Sequence, residues 1–231
     1  MTVGGDFDRY SEDYAEVVQQ SIDFAGQDVA FFTEVKARVL LQAARRHLGS
    51  CAELALLDVG CGVGLTESFL VEHCGEVHGV DVSADSIRRA RENHPRAFFK
   101  AFDGRHLPFE DQRFDLVFAI NVMHHVQPAE RDPLIAEMAR TLRPGGLAAI
   151  LEHNPWNPLT RRAVSRCPFD EDAILLRRRE SRRRLQRAGL ECVESRYILF
   201  FPWRGDRWRR IEARLGALPL GAQHMVAARR C

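Results

Sequence analysis

Three glycines within five residues mark the first place where this chain can do chemistry. They lie in Leu57-Asp58-Val59-Gly60-Cys61-Gly62-Val63-Gly64, between an apolar run and a helix-like one. Glycine lets a backbone turn sharply and approach a ligand with no Cβ in the way. A loop of this kind opening onto a helix is the nucleotide-binding corner of a doubly wound sheet. A dinucleotide fingerprint places Gly or Ala where this chain has Leu65. Asp58 is unhelpful beside a pyrophosphate and suits a ligand bearing positive charge. Further on, Gly79-Val80-Asp81-Val82-Ser83 puts a carboxylate at a strand tip, 17 residues after Gly64. There it can accept from both hydroxyls of a ribose, the alternative being that Asp81 and Ser83 cap the next helix. A third carboxylate, in Phe102-Asp103-Gly104, can accept from an exocyclic amino group such as that of adenine, or stand in an ordinary Asp-Gly turn.

The elements that must position these groups alternate. Strand-like runs are Leu54–Val59, Glu76–Val82, Ala97–Phe102, Phe114–Ile120 and Leu147–Glu152, with helix-like stretches at Thr66–His73, Ala84–Asn93 and Ala129–Leu142 between them. Continuous apolar strands with intervening helices predict a parallel sheet covered on both faces. Two helices, residues 10–24 and 29–48, precede the first strand. After it the pattern predicts a helix at Arg178–Ala188, a long strand at Glu191–Phe200, a helix over 205–215 and a last strand at Gln223–Ala228. One strand running antiparallel to its neighbours fits the short final link. The expected fold is therefore α/β, doubly wound and Rossmann-like. It has a seven-stranded mostly parallel sheet with an antiparallel strand near the C-terminal end, residues 51–231, and an N-terminal helical lid segment, residues 1–50.

Composition narrows the class. The chain has 231 residues, 45% hydrophobic and 28% charged, with 33 Lys+Arg against 32 Asp+Glu. That excludes wholesale disorder and a collagenous chain. No apolar run approaches a membrane span, and the acidic start MTVGGDFDRYSEDYAE lacks the layout of a signal peptide, so a cytoplasmic protein is expected. The six cysteines form no C-x-x-C pair and read as reduced apolar residues. Charge is uneven: residues 152–231 hold 18 basic and 9 acidic side chains, a net of +9, leaving −8 for residues 1–151. A basic third can draw an anionic substrate or nucleic acid, although runs such as Arg177–Arg179 and Arg182–Arg184 are more often a solvated helix face.

Taken in series, LDVGCGVG (57–64), GVDVS (79–83), FDGRHLPFEDQRFDLVFAINVMHHV (102–126) and LRPGG (142–146) resemble class I S-adenosylmethionine-dependent methyltransferases. The likeness is to the small-molecule type related to the ubiquinone-biosynthesis methyltransferases, and it covers residues 54–152. The N-terminal FDRYSEDYAE is similar to the lead-in segment of such enzymes. The resemblance implies S-adenosyl-L-methionine as cofactor and S-adenosyl-L-homocysteine as product. Gly60, Cys61, Gly62 and Gly64 would line its methionine portion, with Asp58 near the ammonium. Asp81 and Val82 would hold the ribose, while Phe102, Asp103 and Gly104 frame the adenine. Asn121 would offer its carbonyl to the ammonium with Val122 beside it. Tyr14 and Lys36 would be lid contacts, Lys36 to the cofactor carboxylate.

On the acceptor side, transfer from a sulfonium is an in-line displacement in which the protein supplies alignment and a dry cavity, so no metal is expected. A base is needed where the nucleophile holds its proton tightly, and histidine is the natural candidate near neutral pH. His125 and His153 are the expected catalytic residues, with Glu152 orienting His153 or capping the strand. His124, Trp156 and Arg161 are the expected acceptor contacts, beside Arg162 and Arg166. The alternative for the His124–His125 pair is that one packs in the core and the other caps a helix. The leading function is methyl transfer to a small molecule, perhaps at oxygen, by a monomer or homodimer. Its rivals are an RNA methyltransferase using the basic C-terminal third, a non-methylating cofactor-binding protein on the same fold, and a nicotinamide dehydrogenase. Against the first stands NVMH after strand four, where amino-group methylases of nucleic acids carry an Asn/Asp-Pro-Pro-aromatic tetrapeptide.

Overall fold

A computed structural model describes residues 14–231. The FDRYSEDYAE lead-in and the start of the helix expected over 10–24 lie largely outside the described residues, as does the side chain of Tyr14. Two helices open the described chain, α1 (Tyr14–Ile22) and α2 (Val29–His47). The sheet is then laid down as β1 (Ala55–Val59), β2 (Glu76–Asp81), β3 (Phe98–Ala101), β4 (Phe114–Ile120), β5 (Leu142–His153), β6 (Leu190–Ile198) and β7 (Gln223–Arg230). Helices α3 (Ala84–Asn93), α4 (Arg131–Thr141), α5 (Pro158–Val164), α6 (Arg178–Arg187) and α7 (Asp206–Leu215) link the strands.

The strand order is β3-β2-β1-β4-β5-β7-β6. Five strands pair in parallel, and β7 is antiparallel to both β5 and β6. This is the expected doubly wound sheet with its antiparallel C-terminal strand. The period of two along each strand divides the core. Leu56, Leu116, Phe118, Ala149 and Leu151 face α2 and α3, while Leu57, Val117, Ala119, Ala148 and Ile150 face α4 and α6. Both faces are covered, which is why the central strands read as unbroken apolar runs. Helix α2 begins at Asp28, whose carboxylate accepts from Phe31 N at 2.7 Å, and it buries Phe31, Val35, Val39 and Leu40. It is thus a core helix as well as a neighbour of the glycine loop at Cys61.

One expected helix is not formed. Thr66–His73 contains a single 3-10 turn, Glu67–Phe69, set in irregular turns. Phe69 N and Leu70 N bond three residues back, to Thr66 O and Glu67 O. Glu67 is drawn fully inside, which tightens the chain where an α-helix would have kept it on the surface. Among the described residues no helix is long and apolar enough to cross a membrane.

Arg131 fastens the far side of the sheet. It is almost fully buried at the start of α4, and its guanidinium donates to Val126 O at 2.8 Å and Ile174 O at 2.7 Å. Ile174 N in turn donates to His124 O at 2.9 Å. The segment after α5 is thereby tied to the turn after β4. Truncating Arg131→Ala leaves two inward-facing carbonyls without a donor, at roughly 1–3 kcal/mol each. We expect a loss of about 2–4 kcal/mol in urea unfolding; an unchanged midpoint would contradict the clamp.

Candidate functional site

The carboxyl ends of β1, β2, β4 and β5 converge on one crevice. Gly60 (φ +86°) and Gly62 (φ +53°) turn the chain after β1. Their surroundings differ. A Cβ on Gly60 would lie 2.4 Å from Val122, whereas one on Gly62 would meet nothing within 4 Å. Gly60 is thus required by packing against Val122, and Gly62 borders open space. Cys61 faces inward and fills the space above Gly79; burial and the nearby carboxylates push its thiol well up. It is a packing residue. Asp81 fixes the loop: Oδ2 accepts from Gly62 N at 2.8 Å and Oδ1 from Ser83 N at 2.9 Å. Ser83 caps α3 as expected, accepting from Ser86 N at 3.0 Å.

Beneath the loop Asp58 meets Glu67, a partner that the sequence did not disclose. Asp58 and Glu67 are both buried, and Asp58 Oδ1 and both Glu67 oxygens lack a hydrogen-bond donor. Burial pushes the Asp58 carboxyl well up, helped by Glu67 beside it, and pushes Glu67 up to about 7. Such a pair holds a proton rather than two full charges. Lys36 lies near Asp58 and Glu152. Burial lowers its ammonium to about 8, with those two carboxylates pulling the other way. Unpartnered carboxylate oxygens and a buried ammonium therefore lie together under the glycine loop, whose Gly62 borders open space. That fits the ammonium and carboxylate of an amino-acid ligand.

The rim is made by β3 and its turn. Phe102 is half-buried, and a Cβ on Gly104 would stand 3.2 Å from Val82. Asp103 closes its own turn, accepting from Arg105 N and His106 N, both at 2.7 Å, which lowers its carboxyl to about 2. It remains exposed, so the Asp-Gly turn and an adenine contact are compatible here.

On the other side of the crevice stands a histidine cluster. Asn121 ends β4 in the left-handed region (φ +57°), and its Oδ1 accepts from Gln223 Nε2 at 3.1 Å. The same amide lies 3.3 Å from His153 Nδ1, because β5 and β7 pair His153 with Gln223. A polar chain thus runs from crevice to cluster. Glu152, expected to orient His153, instead holds its neighbours: Oε1 accepts from Met123 N at 2.7 Å, and Oε2 lies 2.7 Å from His124 Nδ1. It meets His153 through that residue's backbone N–H at 3.3 Å. His124 is buried, as one alternative anticipated, but neither histidine caps a helix. Both ring Nε2 atoms face Asp170 Oδ1, at 3.3 Å from His124 and 3.4 Å from His125. Burial opposes charge on His124, yet Glu152 and Asp170 win and lift it to about 9. Burial and the His124 charge hold His125 down to about 4 and His153 to about 3.

A surface cavity of about 560 Å³ opens beside Asp170, lined also by Arg161, Arg166 and Cys167. Arg162 lies over the ring of Phe24 at 4.8 Å. Trp156 is 61% exposed and carries Arg177 over its ring at 5.0 Å; it does not line this cavity. The basic runs lie on and before α6, where Arg184 pairs with Asp132 and Glu180 and Arg187 with Asp132.

Asp170, Glu67 and Gln223 went unassigned in the sequence. Asp170 lies in Cys167-Pro168-Phe169-Asp170, far along the chain from the histidines it meets. Gln223 acquires its place from an antiparallel register that no local pattern encodes.

Known proteins bear on this crevice. The family model described as "Methyltransferase domain" matches residues 56–146. The ubiquinone biosynthesis O-methyltransferase of Nitrobacter winogradskyi is 32% identical over 178 residues, covering 71% of this chain and 66% of that protein. Methyltransferase GfsG of Streptomyces halstedii is 40% identical over 104 residues, covering 42% of this chain and 37% of that protein. The chain thus spans between 37% and 66% of the length of these relatives. Among solved structures, a Thermotoga maritima methyltransferase described as a possible histamine N-methyltransferase shares the fold. Its TM-score is 0.68 at 19% identity, over 99% of this chain and 100% of that one.

The two glycines provide a test. Gly60→Ala must displace Val122 and strain the loop, so it is expected to lower thermal stability clearly. Gly62→Ala carries backbone strain of about 1 kcal/mol and leaves the fold intact. Equal melting temperatures for the two variants would contradict the packing described.

Proposed function

The chain belongs to the class I S-adenosylmethionine-dependent methyltransferases, and on that premise we propose that it transfers a methyl group from S-adenosylmethionine to a small-molecule acceptor. The observation that carries this reading is the pair of unpartnered groups at the cofactor loop. Asp58 Oδ1 and both Glu67 oxygens are buried without a hydrogen-bond partner, with the Lys36 ammonium near Asp58, and Asn121 at the end of β4 is joined through Gln223 to His153 of the histidine cluster. Gly60, Gly62 and Gly64 would line the methionine portion, Asp81 the ribose, and Phe102, Asp103 and Gly104 the adenine. When bound, the sulfonium supplies an already activated methyl group, so the protein's work is alignment and exclusion of water.

The chain's own residues divide the remaining tasks. Lys36 holds the cofactor carboxylate, and the buried Asp58–Glu67 pair carries the negative charge that the ammonium meets. With the Gln223 amide as found, His153 Nδ1 accepts its hydrogen bond. The neutral ring then presents Nε2–H, which can hold an acceptor oxygen in place. The acceptor's proton, where it has one, passes to His125, whose ring burial and the His124 charge keep neutral. Arg161 and Arg166 at the cavity suit an acceptor with an acidic group. The ubiquinone O-methyltransferase relative supports methylation at oxygen.

Two binding predictions test the cofactor half. Asp81→Ala is expected to weaken S-adenosylhomocysteine by about 1–3 kcal/mol in calorimetry, with the fold unchanged; an unaltered affinity would remove the ribose assignment. Lys36, with its ammonium lowered to about 8, binds a carboxylate best while protonated. Affinity should therefore be level below pH 8 and fall as pH rises above it, and Lys36→Met should abolish the Lys36 contribution to that fall. Identical pH profiles for both proteins would contradict the contact. For the acceptor half, His153→Ala should lower turnover of labelled cofactor with phenolic or carboxylic acceptors more than it lowers cofactor affinity.

A further inference from the structure

Three side chains from two distant parts of the chain bring their donor atoms together. His124 and His125 come from the turn after β4, and Asp170 from the 3-10 turn Pro168–Asp170 after α5. Their ligand atoms all lie within 4.8 Å of one another. We propose that His124 Nε2, His125 Nε2 and the Asp170 carboxylate form a binding site for one divalent transition-metal ion, with at least one coordination position open toward the Arg161–Arg166 cavity. The sequence reading expected no metal.

The distances leave room for an ion between the donors. A charge-assisted N–H···O bond is about 2.7–2.9 Å, as the His124–Glu152 contact at 2.7 Å shows. The two contacts to Asp170 are longer, at 3.3 and 3.4 Å, and converge on the same oxygen. Two ligands each about 2.1 Å from an ion, at a near-tetrahedral angle, stand about 3.4 Å apart. The tautomer also fits. Glu152 accepts at His124 Nδ1, which leaves a lone pair on Nε2 in the neutral ring, directed at Asp170. A carboxylate behind a histidine ligand is the usual outer support of a metal site.

Charge points the same way. Glu152 and Asp170 set two carboxylates around His124, and the His125 ring is 4.0 Å from the His124 ring centre to centre. A proton on each ring would place two like charges in contact, whereas one divalent ion balances both carboxylates. Two imidazoles and one carboxylate select zinc, iron, cobalt or manganese over magnesium or calcium. The site itself does not depend on the methyl-transfer reading. Its role does: an ion there would take over from His125 by polarising an acceptor oxygen.

The test uses chelator-treated full-length protein titrated with Co²⁺ and followed by visible absorption, with Zn²⁺ in competition. One equivalent per chain should bind at micromolar concentration or tighter. Asp170→Asn and His125→Ala should lose it, and Glu152→Gln should weaken it about 10–100-fold. S-adenosylhomocysteine binding, measured on the same samples, reports folding and the cofactor site separately. Protein that binds S-adenosylhomocysteine but takes up no Co²⁺ or Zn²⁺ overturns the proposal, as does uptake that survives both ligand substitutions. A His124 ring that stays doubly protonated by ¹⁵N NMR in excess Zn²⁺ overturns it as well.

Discussion

The carboxylate of Glu152 is the constraint on which the site depends. It is fully buried at the end of β5 and meets the next strand's turn through Met123 N and His124 Nδ1. His124 opposes burial and holds Glu152 down to about 2. A buried, fully ionised carboxylate is costly unless it is paired and hydrogen-bonded. Here it is both, and satisfying it fixes where the histidines stand. The Arg131 clamp then brings Asp170 to the same place, because Ile174 is bonded both to Arg131 and to His124 O.

This arrangement gives the two halves of the crevice different mechanical characters. The side proposed to hold the cofactor is built from backbone: glycines with positive φ, amides held by Asp81, and Val122 pressed against Gly60. Little there can move without breaking the β1–β2 connection. The acceptor side is built from side chains of β5, β7 and the segment after α5, joined by polar contacts. Insertions in that segment can change the cavity without disturbing the sheet, which is how one fold serves many acceptors.

Much of the frame was legible because it is written in local pattern. Apolar runs such as Phe114–Ile120 locate strands, and Ser83 marks a helix start. The turn made by the loop glycines was legible for the same reason, and Asp81 stands at the strand tip as its place in the sequence implied. What was not legible depends on distance along the chain. Thr66–His73 has a helical pattern but yields a 3-10 turn, because Glu67 is pulled in against Asp58. Glu152 was expected to serve the adjacent His153 and serves His124 instead, across the β4–β5 pairing. Asp170 and Gln223 acquire their roles from tertiary contact alone.

The central claim is that one adenosyl ligand lies across the ends of β1, β2 and β3 with its sulfur turned toward the histidine cluster. A crystal structure with S-adenosylhomocysteine tests it most directly. The account predicts the homocysteine ammonium and carboxylate between Asp58 and Lys36, the ribose on Asp81, and the sulfur facing His153. A ligand seated elsewhere, or with its sulfur turned away from His153 and Asp170, would contradict it.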